Sequence, residues 1–372
     1  MHVAATLVRG GTSKCWLFDG ASVPTSADRL EELLVRAYGA GDPVQLDGVG
    51  GATPTTSKAA VVGRSEVPGV DVEYLFGQVG IGVERVEWGS NCGNCATAIA
   101  LWSVARGLVA VRGDRTRVVM RNVNTGAVLE AEVDTTGGVV HEFGTQTVPG
   151  TRAGGVAVGL SFLDPGGATT GSLLPTGQAV EELDVDGVPV RVSMVDAGAP
   201  VVLVDAARIG RTATEPAAEL AGLVPWLRAV RHTAARKMGL ARPGGTADDA
   251  VPKVGIVGAP GRFTSATGED VDAADYDVAV RMLSMNAPHP AIGLTSAVAV
   301  AAASGCEGSV VHSATRQMRA GAVVRIGTPS GVVAVTSSGT TPAGPARVTV
   351  ARAARILCDA DLLVPDPAPV SA

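Results

Sequence analysis

Lysine is scarce in this chain. Of 30 basic side chains in 372 residues only Lys14, Lys58, Lys237 and Lys253 are lysines, the rest arginine. A GC-rich genome accounts for such a bias, yet arginine cannot serve where a side chain must lose its proton, whereas a desolvated lysine can. Charge is also low, at 18 % of residues, and hydrophobic residues reach 46 %, which excludes a disordered chain. No Lys/Arg run occurs and the net charge is −6, so a phosphate backbone has nothing to bind and nucleic acid is excluded as a partner. No apolar stretch approaches the ~18–20 residues of a membrane span. The start, MHVAATLVR, lacks the charged and apolar regions of a signal peptide, and a cytoplasmic location is expected. Five cysteines, Cys15, Cys92, Cys95, Cys306 and Cys358, are an odd number and suit free thiols better than a disulfide framework.

What is present is organised in two halves, as the length also suggests. Leu30, Leu33, Leu34 and Ala37 share one face of a surface helix at 26–38. The segments after Cys95 and from Leu294 to Ala303 are apolar all round, the mark of buried helices. Each is followed by a hairpin, 118–133 turning at Asn124-Thr125-Gly126 and 323–336 turning at Pro329-Ser330-Gly331. Buried helix then hairpin, twice, reads as an internal duplication. The Gly/Pro/Thr-rich stretch 164–177 is the best linker, with the cut near residue 180. Beyond it come a turn at Asp186-Gly187, strands at 190–195 and 201–204, and a helical region at 215–238 interrupted at Pro225. A polar stretch at 242–250 precedes a buried strand at 254–257, and Val278, Val280 and Met282 alternate in another. Two half-barrel-like α+β lobes with a cleft between them follow as the expectation.

The densest motif is Gly89-Ser90-Asn91-Cys92-Gly93-Asn94-Cys95, which feeds directly into the first buried helix. A helix N-terminus binds carboxylates and lowers a thiol pKa, so Cys92 is expected to be activated. Asn91 and Asn94 also suit plain N-caps. Cys92 and Cys95 spell C-x-x-C, but no second such pair exists for a zinc or redox site. The loops Arg9-Gly10-Gly11-Thr12-Ser13-Lys14 and Gly50 to Lys58 are rich in glycine and hydroxyls and end in lysine, without the spacing of a nucleotide-binding loop. They suit tight turns, or the lining of an anion pocket. Ser284 to Thr295 leads into the second buried helix and carries His289.

Together Arg9-Gly-Gly-Thr-Ser-Lys14, Thr56-Ser-Lys58, Asp71 to Gln78, Asn91-Cys-Gly-Asn94, Leu174 to Gly177, Ser193 to Ala197, Pro252-Lys253, Arg281 to Met285 with His289, and Pro329-Ser-Gly331 resemble one family. It is the 2-methylaconitate cis-trans isomerase-like family, relatives of diaminopimelate epimerase. The resemblance implies an α+β fold of two pseudo-twofold-related epimerase-like domains, each a mainly antiparallel half-barrel around a buried central helix. Their expected extents are 1–180 and 181–350, with 351–372 packing back on the first. It implies a cofactor-independent isomerase of a small unsaturated di- or tricarboxylate, with no metal and no partner beyond that anion; self-association is left open. Lys58 is then the proton-transfer base and Cys92 a catalytic cleft residue. Arg9, Thr12, Ser13, Lys14, Ser57, Asn91, Gly93, Asn94, His289, Thr295 and Ser330 are the expected substrate ligands.

For Lys58 to act as a base its pKa must fall, and burial with Lys14 and Arg9 nearby is expected to lower it to ~7–8. Cys15, Cys95, Ala199 and the 286–290 loop depart from the family pattern and leave the exact substrate open. An inactive carboxylate-binding protein and an amino-acid epimerase are the competing readings. A two-thiol epimerase wants a second cysteine at the start of the second buried helix, and Cys306 lies at its far end.

Overall fold

The computed structural model describes residues 1–88, 92–241, 251–316 and 323–365. Its backbone packing resolves two compact units: Met1–Leu160 with Arg352 onward, and Ser161–Ala351.

In the first unit, β1 (His2–Gly10) pairs antiparallel with β2 (Ser13–Asp19), and β2 runs parallel to β3 (Lys58–Arg64). β3 is antiparallel to β4 (Val72–Val79), which carries the short β5 (Val86–Glu87) and runs parallel to β6 (Arg115–Asn122). β6 turns into β7 (Val128–Asp134) as the sequence predicts. β8 (Val156–Leu163) carries the chain onward into the second unit.

Helix α1 (Ala27–Tyr38) buries Leu30, Leu33, Leu34 and Ala37 and stops at Gly39, whose φ of 64° suits a residue without Cβ. Helix α2 (Gly93–Ala105) is buried from Cys95 to Val104 and packs against β1, β2, β3, β6 and β7. Gly10 allows that packing, since a Cβ there would collide with the Asn94 carbonyl and the Ala98 amide of α2.

The second unit opens with β9 (Glu181–Val185) and β10 (Val188–Ala197), joined through Asp186 and Gly187, both at positive φ, the hairpin geometry read from the sequence. β11 (Ala199–Asp205) is antiparallel to β10 and parallel to β12 (Lys253–Gly258). Between them lie α3 (Ala217–Ala221) and α4 (Val224–Lys237). Pro225 starts α4 rather than kinking one long helix, because its missing N–H is harmless in a first turn.

A two-residue pair, β13 (Phe263–Thr264) and β14 (Asp270–Val271), precedes β15 (Val278–Ser284) and β16 (Ala287–Pro288). β15 is antiparallel to β12 and parallel to β17 (Val323–Thr328), which turns into β18 (Gly331–Ser338). The expected alternation in β15 is absent, since Val278 to Leu283 are all buried and the strand is covered on both faces. Helix α5 (Leu294–Ser304) is buried except at Thr295 and packs on β10, β11, β17, β18 and α6 (Val310–Ala314). β19 (Arg347–Leu363) pairs at its start with β18, and from Ala354 onward with β1.

The two units repeat one topology. β1-β2-β3-β4-β6-β7 and β10-β11-β12-β15-β17-β18 both run antiparallel, parallel, antiparallel, parallel, antiparallel. In both a buried helix separates the fourth strand from the fifth. Lys58 opens the third strand of one set and Lys253 the third strand of the other.

The stretch 164–177 is packed onto β10 rather than hanging as a free linker, and residue 180 lies inside the second unit. Its amides at Thr169 and Thr170 donate to the buried Asp196 carboxylate at 2.8 and 2.7 Å, and Gly167 N–H donates to the Asp196 carbonyl. Among the described residues no helix is long and apolar enough to cross a membrane.

Candidate active site in the first unit

Lys58 is 9 % exposed, at the first position of β3, directly opposite Gln78 of β4. Its Nζ donates to Gln78 Oε1 at 2.5 Å and stands 5.1 Å from the centre of the Phe76 ring. Gln78 is fixed in turn, its amide donating to the Ser57 carbonyl at 2.9 Å. The Tyr38 hydroxyl donates to the Lys58 carbonyl at 2.5 Å. Ser57, expected as a substrate ligand, is fully buried and donates to Gln45 Oε1, so it shapes the loop ahead of Lys58.

Three thiols gather beside this amine. Cys92 is the N-cap of α2, Cys95 lies in its first turn and Cys15 on β2. Burial works against the Lys58 ammonium, but the sulfurs of Cys92, Cys95 and Cys15, when ionised, outweigh it and hold the amine above its ordinary value. The expected lowering is therefore reversed. The hydrogen bond with Cys95, then burial, push the Cys92 thiol well above its ordinary value, with Lys58 pulling the other way. The activation expected from the helix terminus is thus overridden. Burial and the bond with Cys15 likewise raise Cys95. All five cysteines are free, and among the described residues no cluster of His, Cys, Asp or Glu is arranged to hold a metal.

The Gly-Gly-Thr-Ser loop meets the same helix start. Asn94 Nδ2 donates to Thr12 Oγ1 at 3.1 Å and Ser13 Oγ at 3.2 Å, and its Oδ1 accepts from Arg352 Nη2 at 2.6 Å. Thr12, Ser13 and Asn94 therefore hold one another as well as facing the helix start. Gly11 has φ +53°, and a Cβ there would strike both Asn94 Oδ1 and Arg352 Nη2. Gly93 opens the helix, whose first-turn amides have no acceptor within the helix. Asn91 lies outside the described residues.

Arg9 donates to the carbonyls of Gly11 and Gly154 at 3.2 and 2.8 Å. Lys14 is exposed and sits across from Arg9 in the ladder. Arg352 and Gln78 were not singled out from the sequence. Gln78 stands within a quoted motif without a role, and Arg352 reaches Asn94 from 258 residues away with no local signature.

His289, Thr295 and Ser330 belong to the second unit. His289 Nδ1 accepts from the Ala291 amide at 2.9 Å, which places the proton of the neutral ring on Nε2. Burial, then the charge of Lys253, lower its pKa to about 4, so the ring is neutral near pH 7. Thr295 is half-buried in the first turn of α5. Ser330 is buried and bonded to Thr328, which makes it a turn residue.

Comparison with known proteins adds to this geometry. The profile of the family described as PrpF protein matches residues 1–365. A 2-methyl-aconitate isomerase of Shewanella oneidensis is 34 % identical over 99 % of this chain and 98 % of its own. A (4E)-oxalomesaconate Delta-isomerase of a Novosphingobium species is 38 % identical over 80 % of this chain and 78 % of its own. The crystal structure of a methylitaconate-delta-isomerase shares the fold at a TM-score of 0.89 and 29 % identity, covering 98 % of this chain and 96 % of that one.

Proposed function

Because the chain belongs to the PrpF protein family, we propose that it is a cofactor-independent isomerase of a small unsaturated di- or tricarboxylate, working by proton transfer at an allylic carbon. The carrying observation is the buried Lys58 amine held on Gln78 beside the Cys92 thiol at the start of α2. The named activities of the relatives support the substrate class. The repeated strand order supports a duplicated epimerase-like fold built around α2 and α5.

The chemistry is balanced without a redox partner. An allylic C–H bond breaks, its proton passes to the deprotonated form of the Lys58 amine, which the raised pKa makes the minor form near neutral pH, and the electron pair spreads through the double bond into a conjugated carboxylate. The ammonium then returns a proton to either end of the allylic system, after rotation or with a shifted double bond. Cys92 carries a second exchangeable proton beside the amine. The amides of Gly93 and Asn94 receive a substrate carboxylate, as helix N-termini do, and hold the charge that develops there. Five unpaired thiols support a reducing, cytoplasmic setting.

Proton NMR in heavy water, with a panel of aconitates, itaconates and oxalomesaconate, tests the reading. Interconversion of one of them with solvent deuterium entering the allylic position is expected. Tight binding without exchange would identify a carboxylate-binding protein instead.

A further inference from the structure

The Asn124-Thr125-Gly126 turn between β6 and β7 closes without the Asn124 side chain. The Asn122 amide donates to the Ala127 carbonyl at 2.9 Å, and the Gly126 amide to the Asn122 carbonyl at 2.8 Å. The Asn122 carboxamide oxygen accepts from the Asn124 and Thr125 amides at 2.7 and 3.3 Å. An asparagine in a turn ordinarily braces its own backbone, and here Asn122 fills that role.

The side chain of Asn124 reaches out of the hairpin instead. Its Oδ1 accepts from the Phe76 amide at 2.8 Å, and its Nδ2 donates to the Phe76 carbonyl at 2.8 Å and to the Trp88 carbonyl at 2.5 Å. The pairing of β4 explains this. β6 runs beside it only as far as Tyr74, and β5 joins it only at Gln78, so in between the Phe76 main chain lacks a ladder partner from either strand. One carboxamide supplies the acceptor and the donor that a strand residue would give. Its other N–H ties in Trp88, which follows β5 and stands four positions before Cys92.

This clamp lies on the strand that holds the amine. Phe76 and Gln78 are two residues apart on β4 and project to one face, where both meet Lys58. Gln78 Oε1 is 2.5 Å from Nζ and the centre of the Phe76 ring 5.1 Å from it. Between them Gly77 leaves room for the Trp88 ring, since a Cβ there would stand 3.0 Å from Trp88 Cζ3.

We propose that Asn124 is a positioning residue for the proton transfer: its carboxamide locks the β4 segment whose Phe76 and Gln78 side chains hold the Lys58 amine, and binds that segment to Trp88. The kinetic consequence rests on the isomerase reading above, while the effect on Lys58 itself does not. No shorter or charged side chain can replace it. Alanine loses all three bonds, and aspartate keeps the bond to the Phe76 amide but turns an acceptor toward two carbonyls.

The test joins kinetics to a spectroscopic signature, on the full chain. With only four lysines, isotope-labelled lysine gives Hε and Cε signals that lysine substitutions can assign one by one. Those of Lys58 are expected to be displaced by the Phe76 ring from those of the exposed Lys14 and Lys237. In Asn124→Ala and Asn124→Asp they are expected to move toward the exposed lysines, with kcat for isomerisation falling about tenfold or more and KM changing less than about threefold, because a misplaced base slows the step it performs. Thr125→Ala, which alters the same turn without touching β4, is expected to leave both unchanged. Asn124→Asp is nearly isosteric and carries the test should Asn124→Ala fold poorly.

Lys58 signals that stay in place in both variants overturn the proposal even if kcat falls, since a loosened hairpin would then account for the loss. An unchanged kcat in both overturns it as well. Lys58 signals that move in a protein that isomerises none of the carboxylates would leave the clamp standing and remove the isomerase reading.

Discussion

The Lys58 amine and the Gln78 carboxamide oxygen meet at 2.5 Å across a ladder pair of β3 and β4, so the strand register itself aims the amine. The Cys92 thiol and the face of Phe76 are its further neighbours. Gln78 thus orients Lys58, and it does so as a neutral group that leaves the amine free to change its charge.

Gln78→Leu should therefore cost turnover more than stability. Loss of a hydrogen bond to a charged group is worth about 1.5–3 kcal/mol, which corresponds to a fall of roughly 10- to 100-fold in kcat. Gln78→Glu places a carboxylate on the amine and should move the rising limb of the pH–rate profile further into the alkaline range. Rates of both variants from pH 6 to 10.5 check this.

Alkylation of the thiols should follow exposure and not motif. Cys358 is exposed, Cys306 is raised by burial, and Cys92 is raised well above its ordinary value by Cys95 and burial. Iodoacetamide at pH 7.5 should modify Cys358 first, with Cys92 labelled appreciably only as the pH passes above 9. Peptide mass spectrometry over time gives the order; early labelling of Cys92 near neutrality would contradict the arrangement of the three thiols.

Much of the scaffold is legible in the sequence. The all-apolar stretches after Cys95 and Leu294 become buried helices because no polar face is available to turn outward, and the Asp186-Gly187 turn follows from backbone sterics alone. The thiol site is less legible. Cys15, Cys92 and Cys95 converge from β2 and α2, and their joint effect on Lys58 reverses the shift that burial alone gives. Arg352 joins Asn94 only through the pairing of β19 with β1, a contact without local pattern. Ser57 and Ser330 show the opposite case, hydroxyls in loops of suitable composition that turn inward to brace those loops.

His289 should make stability depend on pH in a defined window. Its pKa is lowered to about 4 in the folded chain by burial and Lys253, against 6.5 when unfolded. The unfolded state then binds the extra proton first, so stability is complete above about pH 6.5 and declines as pH falls toward 4, by roughly 3 kcal/mol in all. Denaturant unfolding at pH 7 and pH 4.5 should show this decline, and His289→Asn should flatten it.

The most direct measurement is the rate at which Lys58→Arg exchanges solvent deuterium into the substrate that the wild type isomerises. Arginine keeps the positive charge but cannot give up its proton, so the account predicts a loss of several orders of magnitude with binding of tricarballylate retained. Retention of more than about a tenth of the wild-type rate, less than ~1.4 kcal/mol of barrier, would contradict it and reduce Lys58 to an electrostatic anchor.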